Sequence, residues 1–244
     1  MEKTVIRKTL PSCRVSKNLI KQLENYLLIQ MPKILKDDVK RMVTVMGKRP
    51  EELRRYTLSI MEGSDLREYA TIAKYSGEKF HPKTRRATLK YHLGIPVLVE
   101  VAIRFDEGEA PVVEISTVHQ AGKKLCTHVL KNLRGIIQNW SNKNSVIHNR
   151  VMQVTTTVSI PVAVIVYGYL TGADMFFLIS SQGWLFLLGI FLTWNLKHLF
   201  PLVSFETRRR IDMRTLLYLA GLAGTLSLIA AYIVMLYFEL IVPL

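Results

Sequence analysis

Cys126, with His119 seven residues before it and His128 two after, is the one place in this 244-residue chain where a nucleophile and a base could meet. A thiolate attacks when a neighbouring imidazole lowers its pKa and a third group orients that imidazole. No orienting group is in view here, and Cys126 adjoins an apolar stripe, where a small buried cysteine is the commoner outcome. The acidic run Asp106-Glu107-Gly108-Glu109 holds the carboxylates of a cation site. Calcium needs about six or more oxygen ligands from a shaped loop, so a solvated hairpin turn outweighs that use. Basic clusters at Lys83-Thr84-Arg85-Arg86 and Lys123-Lys124, with Tyr91 available for base stacking, would suit a nucleic acid.

Other chemistry has no foothold. The chain lacks a phosphate-binding glycine loop, a Gly-x-Ser-x-Gly elbow, a His-Glu-x-x-His helix and a paired-cysteine metal motif. A non-enzymatic protein with no catalytic, cofactor or metal site is therefore expected. Its two cysteines, Cys13 and Cys126, suit a reducing compartment.

Hydropathy sets the frame that must hold any site. Three long apolar runs, about residues 151–170, 175–196 and 216–238, occupy the C-terminal part. Twenty residues at about 1.5 Å each reach roughly 30 Å, the thickness of a bilayer's hydrocarbon core. The loop after the first run carries no Lys or Arg, whereas the connection after the second holds Lys197, Arg208, Arg209, Arg210 and Arg214. The positive-inside rule puts that connection and the N-terminal part in the cytoplasm, and three crossings put the C-terminus on the far side. Arg208–Arg210, after an amphipathic piece at 200–205, would sit at headgroup level. Pro161 should kink the first span. Ser180, Ser181, Gln182 and Gly183 interrupt the second, which would shorten it.

Within the spans, Ala220, Gly221, Ala223, Gly224 and Ser227 form small-residue ridges that let helices approach closely, in this chain or in a second copy. Gln153, Thr156, Ser180, Ser181 and Gln182 would line a hydrated path if several copies met. Hydroxyls bonded to their own helix are the competing account, and it is the stronger one.

The first 150 residues hold 28 of the 33 Lys+Arg and 15 of the 19 Asp+Glu. Met1 to Leu10 has no apolar core and is not expected to be a cleavable signal. Extended chain is predicted over 4–16, and a helix capped by Ser16 over about 17–35, with Pro32 ending or kinking it. A strand is predicted at 39–46, and 51–62 is ambiguous between helix and strand. Residues 64–84 read as mostly loop. Three antiparallel strands at 87–93, 96–105 and 111–119 follow, the middle one alternating Val97, Val99, Val101, Ile103 and Phe105 on one face. Helical spacing of Leu125, Val129, Leu133, Ile136 and Trp140 predicts a second helix over about 121–140.

The expected architecture is an α+β cytosolic domain over 1–141, an antiparallel sheet with helices packed on one face. A connector at 142–150 leads to an all-α transmembrane domain of three helices over 151–244. The function expected is a cytosolic ligand-sensing or partner-docking domain coupled to three associating helices. Its partners are a bilayer with anionic headgroups, each nearby Lys or Arg gaining about 1 kcal/mol, and a second copy or another membrane or cytosolic protein. An acidic protein or anionic small ligand ranks next, and nucleic acid last. One alternative is an oligomeric channel or membrane-permeabilising effector, a layout seen in outline in bacterial defence. Another is a membrane-associated enzyme. A bacterial inner membrane is the location preferred.

Overall fold

The computed structural model describes residues 3–47, 49, 52–94, 98–118, 122–172, 175–207 and 213–241. Chain contacts divide it into two units, Met1–Asn142 with Leu202–Arg210, and Lys143–Pro201 with Ile211–Leu244.

The first unit is an α+β domain. Strands β1 (Thr4–Thr9) and β2 (Cys13–Val15) precede α1 (Lys17–Asn25), whose start is fixed by Leu19 N donating to Ser16 Oγ at 3.1 Å. The helical path continues through a π turn at Tyr26–Gln30 into α2 (Met31–Ile34). Pro32 has no N–H for the Leu28 carbonyl, and Arg54 Nη1 donates to that oxygen instead, at 3.3 Å. The strand expected at 39–46 is a helix, α3 (Lys36–Met46). Three β-branched valines and a threonine suggested a strand, but the partly or fully buried positions Val39, Met42 and Val43 recur at helical spacing. Asp37 and Asp38 favour the positive end of the helix dipole, and Gly47 at φ 63° closes the other end.

The sheet follows. Strands β3 (Arg54–Glu62), β4 (Asp65–Tyr69), β5 (Thr84–Leu93), β6 (Val99–Asp106) and β7 (Val112–Thr117) join β1 in the order β1-β7-β6-β5-β3-β4, every pair antiparallel. One face is apolar and closed: Leu89, Tyr91, Val101, Ile103, Phe105 and Ile115 are fully buried. Intervening positions such as Arg86, Lys90 and Arg104 are exposed, the pattern of a sheet covered on one side. Helix α4 (Gly122–Gln138) packs against β1, β7 and α1, burying Leu125, Cys126, Val129, Leu133 and Ile137. Ile136 and Trp140, expected on that stripe, are partly buried.

Residues 202–207 complete this domain, although the sequence assigns them to a connection between apolar runs. Strand β8 (Val203–Phe205) lies parallel to β2, with Cys13 opposite Val203 and Val15 opposite Phe205. Cys13 N and Gly108 N donate to the Leu202 and Val203 carbonyls, and Glu206 N to that of Val15. The piece read as amphipathic at 200–205 is thus, from Val203 on, part of the core, and Arg208–Arg210, expected at headgroup level, lie outside the described residues.

The second unit is helical. After a short α5 (Asn144–Ile147) come α6 (Arg150–Thr171), α7 (Met175–Leu199) and, beyond β8, the last helix α8 (Met213–Ile241). Helix α6 packs on α7, and α7 on α8. Helix α7 runs unbroken through 180–183, so the interruption expected there is absent from the backbone, and α6 runs through Pro161. Pro161 leaves the Thr157 carbonyl without its helical donor, and Gly189 of α7 lies against that carbonyl: a Cβ on Gly189 would stand 2.9 Å from Thr157 O. A Cβ on Gly221 of α8 would likewise stand 2.9 Å from Asn195 Oδ1. Among the described residues one stretch, Leu216–Val234, is long and apolar enough to cross a membrane, with mean hydropathy 1.9.

Candidate ligand cleft

Strand β3 ends at Glu62 and turns through Gly63 into β4, which carries Arg67 and Tyr69. After a single 3-10 turn at Ile72–Lys74, the loop over 75–83 returns to this hairpin, with Gly63 N donating to Lys83 O at 2.9 Å. A cleft of about 370 Å³ lies between hairpin and loop.

Tyr75 is its floor. The hydroxyl donates to Glu62 Oε1 at 2.7 Å and accepts the His81 backbone N–H at 2.9 Å. Burial, and then the bond to Glu62, pushes the phenol up to about 12, so at neutral pH it is a fixed donor rather than a base. Arg67 Nη1 faces the other Glu62 oxygen at 3.9 Å. Lys17 Nζ donates to the Tyr75 and Gly77 carbonyls at 3.1 and 2.6 Å and lies over the Tyr75 ring. That ammonium staples the loop to the start of α1.

The cleft continues into β8. Ring centroids step from Tyr69 to Tyr75 (5.5 Å), to Phe80 (5.4 Å) and to Phe205 (5.6 Å). Phe80 N donates to Glu206 O at 3.0 Å. Lys79 Nζ stands 3.4 Å from Glu206 Oε1, and Arg14 Nη2 reaches the same oxygen at 3.8 Å. The phenol is committed, the Glu62 and Glu206 carboxylates are both engaged, and Arg67, Lys79 and His81 are exposed to solvent. A second cleft, about 390 Å³, is lined by Lys17, Lys21 and Glu24. Glu24 accepts the Ile72 N–H at 2.9 Å, and burial raises its pKa.

The residues singled out in the sequence fall elsewhere. Cys126 is fully buried and burial raises its thiol, so it is a packing residue; His119 lies outside the described residues. His128 Nε2 meets Asn132 Nδ2 at 3.2 Å. Asp106 is buried and paired with both Arg86 and Arg104, which removes it from any cation site. Among the described residues no group of three His, Cys, Asp or Glu could hold a metal. Tyr91 is fully buried and cannot stack on a base, which corrects the stacking role considered for it.

In the helical unit, Gly221 faces Asn195, and Thr225, buried, donates to the Gly221 carbonyl. Ala220, Ala223, Gly224 and Ser227 are exposed. Thr156 Oγ1 donates to Met152 O at 2.8 Å and Gln153 Nε2 to Ile147 O at 3.1 Å, so both are bonded within their own segment. Gln182 is half-buried, and the side chains of Ser180, Ser181 and Arg214 lie outside the described residues. So do Arg208, Arg209 and Arg210, while Lys197 is half-buried near the end of α7.

Sequence reasoning missed the cleft because 64–84 read as mostly loop and short pieces. A usable signal was there: Tyr69, Tyr75 and Phe80 fall within a stretch read as loop, and aromatic side chains in a loop need a core to enter. No protein-family model matches the chain, and comparisons with curated proteins and with solved structures return no match.

Proposed function

We propose that this is a non-enzymatic membrane protein in which a cytosolic α+β domain senses a small ligand and passes its state to three associating transmembrane helices. One observation carries the reading: β8, the segment between α7 and α8, is a strand of the α+β domain. Helices α6 and α7 therefore leave that domain and return to it. Two crossings, out and back, satisfy this; a single crossing does not. The three helices have 22, 25 and 29 residues, or about 33, 37 and 43 Å at 1.5 Å per residue, against a hydrocarbon core of about 30 Å. The basic 197–214 connection then lies with the domain on the cytoplasmic side, as the positive-inside rule requires.

Because β8 is tethered at both ends to helices, a change in how it seats is felt by α7 and α8 together. Association follows from α8, which sets Gly221 against Asn195 of α7 and leaves Ala220, Ala223, Gly224 and Ser227 for a second copy. Oxidative cross-linking in membranes tests this. Gly224→Cys is expected to give a disulfide-linked dimer and Gly221→Cys none. A detergent-solubilised particle of single-chain mass, with no cross-link at either position, contradicts it.

A further inference from the structure

The cleft at Tyr75 and the strand between the membrane helices share one pair of charges. Lys79 lines the cleft and at the same time holds Glu206, the residue that follows β8. Glu206 has a second cation, Arg14, on the same oxygen. If Lys79 turns into the cleft, Glu206 keeps a partner, so the exchange leaves no carboxylate stranded. Phe80, next along, donates its N–H to Glu206 O and stacks its ring edge against Phe205. Any ligand that repositions Lys79–Phe80 acts directly on β8.

The lining names the ligand's chemistry. Glu62 is taken by the Tyr75 hydroxyl and faces Arg67. Arg67 and Lys79 come from different segments and are 60% and 47% exposed, so each retains donors for a newcomer. A planar guanidinium fork and a compact ammonium lining one cleft suit a terminal phosphate, whose three oxygens around one atom can reach both, whereas the two oxygens of a carboxylate are taken up by the fork. Ser76 and His81 add exposed donors at the rim. The volume, about 370 Å³, is that of a small-molecule site. The ring of Tyr69, half-buried, supplies an aromatic edge for the rest of the molecule.

We infer that the cleft binds a small molecule through a phosphate group, and that this phosphate draws Lys79 from Glu206 and loosens β8. The binding half stands on the cleft alone, whereas its consequence for the helices rests on the function proposed above.

The test uses the full-length protein in detergent, with pyrophosphate, AMP and citrate as probes in calorimetric titration. Pyrophosphate and AMP are expected to bind in competition, and citrate not to displace them. Arg67→Met and Lys79→Met, both at exposed side chains, each weaken binding at least tenfold. Glu206→Gln removes the competitor for Lys79 and tightens binding severalfold, a change of opposite sign that a merely damaged fold would not give. Hydrogen exchange at residues 203–207 rises with pyrophosphate in the wild-type protein and does not respond in Lys79→Met. No binding of either phosphate probe, equal binding of citrate, or unchanged affinity in both methionine variants overturns the site. Binding with no change in exchange at 203–207 overturns the link to β8. Release of the protein from membranes by alkaline carbonate defeats the membrane reading and leaves the binding result standing.

Discussion

Replacing Phe205 by alanine separates a core strand from a headgroup segment. Phe205 is 9% exposed, closes the ring ladder against Phe80 and sits opposite Val15. Truncating a buried phenylalanine costs about 3–5 kcal/mol, from lost transfer free energy and the cavity left behind. The lower end, about 3 kcal/mol, applies because β8 pairs with a single strand and its side chain retains some exposure. For a domain of this size each kcal/mol shifts Tm by about 2–4 °C, giving a fall of about 6–12 °C. Differential scanning calorimetry of the α+β transition in detergent reads it directly. Ser204→Ala, on the opposite side of the same strand and half-buried, is the control, expected within about 0.5 kcal/mol of wild type. A Phe205→Ala transition within about 2 °C of wild type, the shift expected from less than about 1 kcal/mol, would refute the placement of β8. Loss of vesicle affinity with an unchanged Tm would instead favour a surface segment.

Gly189→Ala is expected to lower the thermal midpoint of the helical unit, because its Cβ would meet the Thr157 carbonyl at 2.9 Å; overpacking of this kind costs about 1–3 kcal/mol. Gly183→Ala, with nothing within 4 Å, is expected to be neutral or stabilising by up to about 1 kcal/mol, and circular dichroism melts in detergent compare the two. Glu24 has its pKa raised above 4.5, chiefly by burial, so its contribution is most favourable below that value and is lost as pH rises through the folded pKa. Glu24→Gln keeps an acceptor for Ile72 and removes the titration. Its stability relative to wild type should therefore be smallest below pH 4.5 and increase toward neutral pH in denaturant titrations; a difference independent of pH contradicts this. Cys13 and Cys126 are fully buried with raised thiol pKa values, so neither should react with maleimide until the domain unfolds, as mass spectrometry of labelled protein would record.

Much of the domain was legible where one face is buried and the other wet. Val99, Val101, Ile103 and Phe105 announced their strand by alternation, Ser16 its helix by capping, and Leu125, Val129 and Leu133 theirs by spacing. Helix α3 was misread because Val39, Val43, Thr44 and Val45 favour strands in isolation, and packing overrode that preference. Strand β4 was invisible because Asp65 to Glu68 are exposed on both faces, so no alternation exists to find. Strand β8 was hidden for a different reason. Three residues carry no period, and their partner, Cys13–Val15, lies far away in sequence. The cleft inherits that difficulty: Tyr75, Glu62, Lys79 and Glu206 meet only after the hairpin, the loop and β8 have all been placed.

The central claim is that β8 belongs to the cytosolic domain while the helices on either side of it cross the bilayer. Cysteine accessibility in intact cells tests it most directly, with Gly172→Cys in the turn after α6 and Ser204→Cys in β8. A membrane-impermeant maleimide should label Gly172→Cys from outside and reach Ser204→Cys only after the membrane is opened. Labelling of both from the same side of the intact membrane would contradict the account.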